Sequence, residues 1–123
     1  MAYIAIVEDE KNICRSLRLA LEAEGYVVDD FQDPLIALPK LICVPPNLLI
    51  LNGHMPGMHG IAFFQKFREY SKAPVMFLSV SADEIQDALE SRGMAAEAYV
   101  PKPFSQRHVV ACAELLVRIG RRR

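Results

Sequence analysis

Five short apolar runs, set apart by segments of helical period, constrain the fold of this 123-residue chain more than any other feature. They cover residues 3–7, 26–31, 48–51, 75–79 and 98–100. Residues 48–51 and 75–78 are apolar at every position, the pattern of strands covered on both faces of a parallel sheet. Between the runs lie amphipathic stripes. Ile13, Leu17, Ala20 and Leu21 mark a first helix, which Gly25 ends because it can adopt the left-handed C′ conformation. Ile61, Phe64, Phe67 and Arg68 mark a third that closes before Pro74, and Ile85, Ala88 and Leu89 a fourth that stops near Gly93. Val109, Val110, Ala113, Leu116 and Val117 mark the last.

The second helix is less regular. Asp33-Pro34 is a good N-cap and first-turn pair, but Pro39 lies inside the same segment, so this helix is expected to be short, kinked or broken. Strand and helix alternating five times with short connections specify an open, doubly wound α/β domain with right-handed crossovers. The expected fold is a five-stranded parallel sheet in the order 2-1-3-4-5, of flavodoxin-like type. In that order the carboxyl ends of strands one and three meet at the topological switch point, where ligands bind.

The composition narrows the functional classes. Hydrophobic residues make up 52% and charged residues 24%, so residues 1–123 are read as one globular domain without repeats, low-complexity stretches or linkers. A net charge of −1 gives no general attraction to nucleic acid or anionic membrane. The only basic run, Arg121-Arg122-Arg123, is read as a frayed, solvated terminus or the start of a linker. Cys14, Cys43 and Cys112 are odd in number and lie in helical stretches, which suggests small buried thiols in a reducing compartment. No signal-peptide pattern opens the chain, and no apolar run reaches the roughly 18 residues of a membrane span. A cytoplasmic protein without membrane contact is expected.

Three clusters converge on the switch point: Glu8-Asp9-Glu10 after the first strand, Asn52 at the end of the third, and Lys102-Pro103 after the last. Adjacent carboxylates at such a place can hold a hard cation such as Mg²⁺ by oxygen ligation, or can simply cap the following helix. His54 and His59 share a loop but have no third ligand at fixed spacing, so both are expected to face solvent. Ser79 lacks a nucleophile-elbow pattern, and the first βα turn has no glycine-rich phosphate cradle.

Taken together, Val7-Glu8-Asp9-Glu10, Leu51-Asn52-Gly53-His54-Met55-Pro56-Gly57-Met58-His59-Gly60, Phe77-Leu78-Ser79 and Tyr99-Val100-Pro101-Lys102-Pro103-Phe104 resemble the receiver domain of two-component response regulators over the whole length. The stretch Pro103-Phe104-Ser105-Gln106-Arg107 looks most like the winged-helix transcription-factor subfamily, the ChvI-type regulators in particular. The resemblance implies that Glu8 and Asp9 stand for the Mg²⁺-binding acid pair, one binding directly and one largely through water. It implies a phosphoryl-contacting hydroxyl at Ser79, a phosphoryl-pairing amine at Lys102 and a cis bond before Pro103. It makes Tyr99 the switch aromatic, although a tyrosine half-buried at a strand end is an equal reading. The implied partners are a sensor histidine kinase or other regulatory protein, and a second copy docked through helix 4, strand 5 and helix 5. DNA would be reached only through a further domain after Arg123.

The departures from the family pattern carry as much information as the matches. Asn52 stands where the family has the phosphorylated aspartate, and a neutral amide cannot act as the carboxylate nucleophile of an acyl phosphate. It also takes a negative charge from the metal shell of Glu8, Asp9 and residue 52, so Mg²⁺ binding is expected to be weak or lost. Gly53 replaces a branched apolar residue, His59 an aspartate, and Val80 a small residue whose replacement narrows phosphoryl access. Glu97-Ala98 replaces a paired-acid signature, and Cys112 lies where the subfamily offers an arginine for a dimer salt bridge. Asn52-Gly53 is also a deamidation-prone pair. The expected function is a non-enzymatic pseudo-receiver acting through protein–protein contacts. The alternatives are an Mg²⁺-dependent receiver whose acceptor aspartate has been substituted, and a plain dimerisation module.

Overall fold

The computed structural model describes residues 1–121; Arg122 and Arg123, part of the terminal basic run, lie outside the described residues. Strands β1 (Tyr3–Val7), β2 (Val27–Phe31), β3 (Leu48–Asn52), β4 (Val75–Ser79) and β5 (Ala98–Pro101) alternate with helices α1 (Lys11–Ala23), α2 (Pro34–Cys43), α3 (Gly60–Arg68), α4 (Ala82–Glu90) and α5 (Gln106–Arg121). All neighbouring strands pair in parallel, and the sheet order is β2-β1-β3-β4-β5. This is the flavodoxin-like topology that the alternating pattern specifies.

Side chains alternate across each strand with period two, and the core accordingly divides into two halves. Ile4, Ile6, Leu48, Ile50, Met76 and Leu78 pack against α1 and α5. Ala5, Val7, Leu49, Leu51, Val75 and Phe77 pack on the other face, against α2, α3 and α4. Phe63, Phe64 and Phe67 are fully buried in this second half. Each such side chain contributes roughly 1.5–3 kcal/mol from transfer out of water.

The strand bounds differ from the sequence reading only at their ends. β2 starts one residue later, at Val27, while β3 extends to Asn52, which pairs in register with Leu78. Asn52 is therefore held by the sheet ladder rather than by a loop. Gly25 ends α1 at φ 92° as expected.

Of the outcomes expected for the helix that holds Pro39 (short, kinked or broken), a break does not occur. α2 runs continuously over its 10 residues, with the Asp33 side chain accepting from Leu35 N at 2.9 Å as its N-cap. Pro39 removes one hydrogen bond, to the Leu35 carbonyl, but both residues lie on the exposed face, where water can satisfy that oxygen. Leu41 and Ala37 anchor the buried side.

The cysteine reading holds for Cys14 alone. Cys14 is buried and donates its thiol to the Glu8 carbonyl at 3.1 Å, Cys112 is half-buried, and Cys43 is exposed because the apolar stripe of α2 turns away from it. Burial pushes the Cys14 thiol up to about 11. A thiol reagent at neutral pH should therefore modify Cys43 in the native protein and Cys14 only after unfolding. Equal labelling rates followed by peptide mass analysis would contradict this packing. Among the described residues, no helix is long and apolar enough to cross a membrane.

At the opposite end of the sheet, Glu97 has a structural task. Its carboxylate accepts from Arg68 at 3.0 Å and from Val75 N at 2.8 Å. Arg68 also donates to the Ala73 carbonyl at 2.6 Å and lies 4.8 Å over the Phe64 ring. These contacts tie α3 to the entries of β4 and β5, leaving the carboxyl ends of the strands free for the site.

Candidate functional site

The strand order brings Glu8, Asp9, Asn52 and Lys102 together at the carboxyl edge, as the switch-point argument anticipates. Glu8 is completely buried, and Asn52 and Ser79 nearly so. The Asn52 amide nitrogen donates to Glu8 Oε2 at 2.9 Å, to Asp9 Oδ1 at 2.7 Å and to the His54 carbonyl at 2.9 Å. The Asn52 Oδ1 accepts from His54 N at 3.3 Å. Lys102 Nζ closes the far side of the cluster on Glu8 Oε1 at 2.6 Å. Among the described residues, each buried side-chain nitrogen and oxygen has a hydrogen-bond partner.

This arrangement has a definite electrostatic logic. Burial pushes the Glu8 carboxyl above its usual range; the Lys102 ammonium pulls it back, Asp9 adds to the rise, and the Glu10 amide opposes it. An amide at position 52 supplies hydrogens to both acids where a carboxylate would repel them. The helix-cap reading of the acids is not what the side chains do. Glu10 is the N-cap of α1 but makes no side-chain cap bond, and its own N–H donates back to Glu8 Oε2 at 3.2 Å.

The same geometry tests the fit of a divalent cation. Mg²⁺ needs oxygen ligands, whereas the group aimed between the two acids is the Asn52 NH₂, a donor. No group of three or more His, Cys, Asp or Glu side chains among the described residues could hold a metal ion. The arrangement present does not fit Mg²⁺.

Ser79 lies at the end of β4, beside the acids but outside their hydrogen bonds. Its hydroxyl accepts from Ser81 N at 3.0 Å, while its carbonyl accepts from Lys102 N at 2.8 Å, so β4 positions the Lys102 backbone. The Lys102-Pro103 bond is cis. Tyr99 is half-buried and stacks on Phe77, with ring centroids 6.1 Å apart, and its hydroxyl accepts from Ala96 N at 2.8 Å. Val80 is 76% exposed and lines a surface cavity with Glu10, Ile13, Lys102 and Phe104.

Two of the three glycines in the loop after Asn52 have steric reasons. A Cβ on Gly60 would lie 2.5 Å from the Asn52 carbonyl oxygen, and one on Gly53 would meet the Ser79 hydroxyl and Ile85 at 3.0–3.1 Å. Gly53 therefore lets α4 sit close against the end of β3. The Gly53 N–H is engaged with the Leu78 carbonyl at 2.9 Å, which opposes the attack on Asn52 that deamidation requires.

Sequence reasoning missed how the loop after Asn52 is held. His54 and His59 are exposed, as expected, but neither is idle. His54 Nε2 lies 2.7 Å from the Ser81 hydroxyl, bridging the loops that follow β3 and β4. His59 is the N-cap of α3, its Nδ1 accepting from Ile61 N at 3.1 Å. A polar residue just before a helical stripe was the available signal, yet histidine is not among the preferred caps.

A doubly wound sheet with an acid pair and a lysine converging at its switch point defines a receiver-type signalling domain. The response regulator receiver domain model matches residues 4–114, and the chain belongs to that family. The response regulator ArlR of Staphylococcus epidermidis is 30% identical over 118 residues, covering 96% of this chain and 53% of that protein. The transcriptional regulatory protein ResD of Bacillus subtilis is 32% identical over 115 residues, covering 94% and 48%. The chain thus spans about half the length of the curated relatives it matches. A CheY-like receiver domain of Methanospirillum hungatei superposes with a TM-score of 0.90 at 23% identity over 99% of this chain and 98% of that one, which shows the fold. The response regulator TrrA of Thermotoga maritima, in complex with Mg²⁺-BeF, superposes with a TM-score of 0.81 at 31% identity, covering 94% and 99%. The chain is the receiver domain of a two-component response regulator.

Proposed function

We propose that this receiver is a pseudo-receiver of the winged-helix subfamily, one that takes no phosphoryl group at Asn52 and works through protein–protein contacts rather than as an enzyme. The observation that carries the reading is the Asn52 amide donating to both Glu8 and Asp9. The amide replaces the nucleophile and at the same time satisfies the acids that would otherwise recruit Mg²⁺. Ser79 and Lys102 keep the places of the phosphoryl contacts, and Tyr99 that of the switch aromatic, without an acceptor for them to serve.

A sensor histidine kinase or another regulatory protein is the proposed input partner, in the cytoplasm. A second copy is the proposed neighbour on the α4–β5–α5 face. α4 there carries Asp83, Glu84, Asp87 and Glu90, whereas Arg118 projects from α5. Cys112, Leu115 and Ile119 form an apolar stripe on the flank of α5 away from the α1 side, which Val110, Ala111 and Glu114 line. Relatives named as transcriptional regulators and about twice as long support a DNA-binding domain beyond this segment.

The experiment is an amide NMR titration with Mg²⁺ and beryllofluoride. The spectrum should stay nearly unchanged. Large shifts around Ser79, Tyr99 and Lys102 would refute the pseudo-receiver and favour a receiver that still accepts a phosphoryl mimic.

A further inference from the structure

Three local observations meet at His59. It caps α3 through Nδ1, which accepts from Ile61 N at 3.1 Å, and this requires an unprotonated nitrogen. Its ring meets the His54 ring edge-on, with centroids 4.8 Å apart. Arg92, from the turn that follows α4, is the other charged group whose field acts on it, so both neighbours oppose a positive charge. No carboxylate is among the groups that shift it.

We infer that His59 is a proton-responsive cap that couples pH to the loop holding Asn52. Protonation converts Nδ1 from acceptor to donor, which breaks the Ile61 bond and turns the imidazolium against the positive end of α3. The positive ring then meets the field of Arg92 and stands edge-on to His54. The loop from Gly53 to Gly60 is the element that this releases. Its His54 backbone exchanges two hydrogen bonds with the Asn52 amide group, and its His54 ring bridges to Ser81 at the start of α4. A proton at His59 therefore loosens the rim of the site and its link to α4. The inference is independent of whether Asn52 accepts a phosphoryl group, because the His59 cap, the His54–His59 ring contact and the His54–Ser81 bridge do not involve Asn52.

The sign follows from the direction of the shift. His59 lies at the surface, but partial burial of its ring first, then His54 and Arg92, hold its pKa below 6.5. A histidine with a depressed folded pKa gives stability that is present above 6.5 and is lost as the pH falls through the folded value. The region affected is mildly acidic.

The test compares the intact protein with His59→Asn, since asparagine caps equally well but does not titrate. His108, on α5, remains in both proteins as an internal reference. In the native protein the His59 ring should titrate below 6.5 by NMR, with the Ile61 amide and the loop amides following the same curve. In His59→Asn those amide titrations should vanish, and the melting temperature should fall by about 3–5 °C less between pH 7.5 and 5. The inference is overturned if the Ile61 amide titrates identically in the variant, or if the His59 ring titrates at 6.5 or higher. It is equally overturned if the two proteins lose the same melting temperature over that range.

Discussion

Replacing Lys102 by methionine should destabilise the domain by about 3–5 kcal/mol at neutral pH, the usual effect of removing one partner of a buried ion pair. Glu8 is wholly buried and the Lys102 side chain is only 14% exposed, so solvent screens their 2.6 Å contact weakly. Methionine keeps the stem packed and removes only the charge. Glu8 then retains the Asn52 amide and the Glu10 N–H but has no counter-charge. Its carboxyl, already pushed above 4.5 by burial, rises further once the ammonium is gone. A carboxyl with a raised folded pKa favours the folded state as the pH falls through that value towards 4.5. The deficit of Lys102→Met relative to the native protein should therefore shrink as the pH is lowered over that window. Denaturant melts of both proteins across pH provide the measurement. A deficit that is independent of pH would mean that packing, and not the buried charge, accounts for the loss.

The second large effect is expected from Asn52→Asp. The native cluster of Glu8, Asp9 and Lys102 has a formal charge of −1 with a neutral amide between the acids; the aspartate makes it −2. Contacts of 2.9 Å and 2.7 Å that were hydrogen bonds become approaches between carboxylate oxygens. Like charges that close cannot all ionise without cost, so the metal-free variant should lose about 1–3 kcal/mol at pH 7. Three carboxylates then make a site for a hard cation. Millimolar Mg²⁺ should restore about 1–2 kcal/mol to the variant by mass action and leave the native protein unchanged. Thermal melts with and without Mg²⁺ decide the matter. An Asn52→Asp protein that is as stable as the native one and insensitive to Mg²⁺ would show that the amide is not what satisfies the acids. A native protein stabilised by Mg²⁺ would count equally against the proposed function.

Both effects concern residues that could be found without coordinates. Glu8, Asp9, Asn52, Ser79 and Lys102 are legible in the chain because each ends or follows an apolar run, and the 2-1-3-4-5 order sends those ends to one edge. What could not be read was the direction of the Asn52 amide, which depends on which neighbours are donors and which acceptors. The histidines were legible as exposed loop residues but not as a helix cap and a bridge between loops. Those roles depend on angles fixed by the glycines at 53 and 60 and by the approach of α4. Whether α2 breaks at Pro39 was not legible for a related reason. A proline's cost in a helix depends on whether the carbonyl it leaves free can reach water, and periodicity alone does not reveal which face is exposed.

The sequence by itself determined the βα alternation, the sheet order, the family and the presence of an asparagine, not a carboxylate, at the end of the third strand. These follow from hydrophobic period, chain connectivity and the identity of single residues. Tertiary structure alone decided how the site is satisfied: an amide directed between a buried and a half-buried acid, with a lysine that follows the last strand closing the cluster. Hydrogen-bond direction and desolvation are properties of groups brought together from β1, β3 and β5, so no stretch of the chain taken separately contains them.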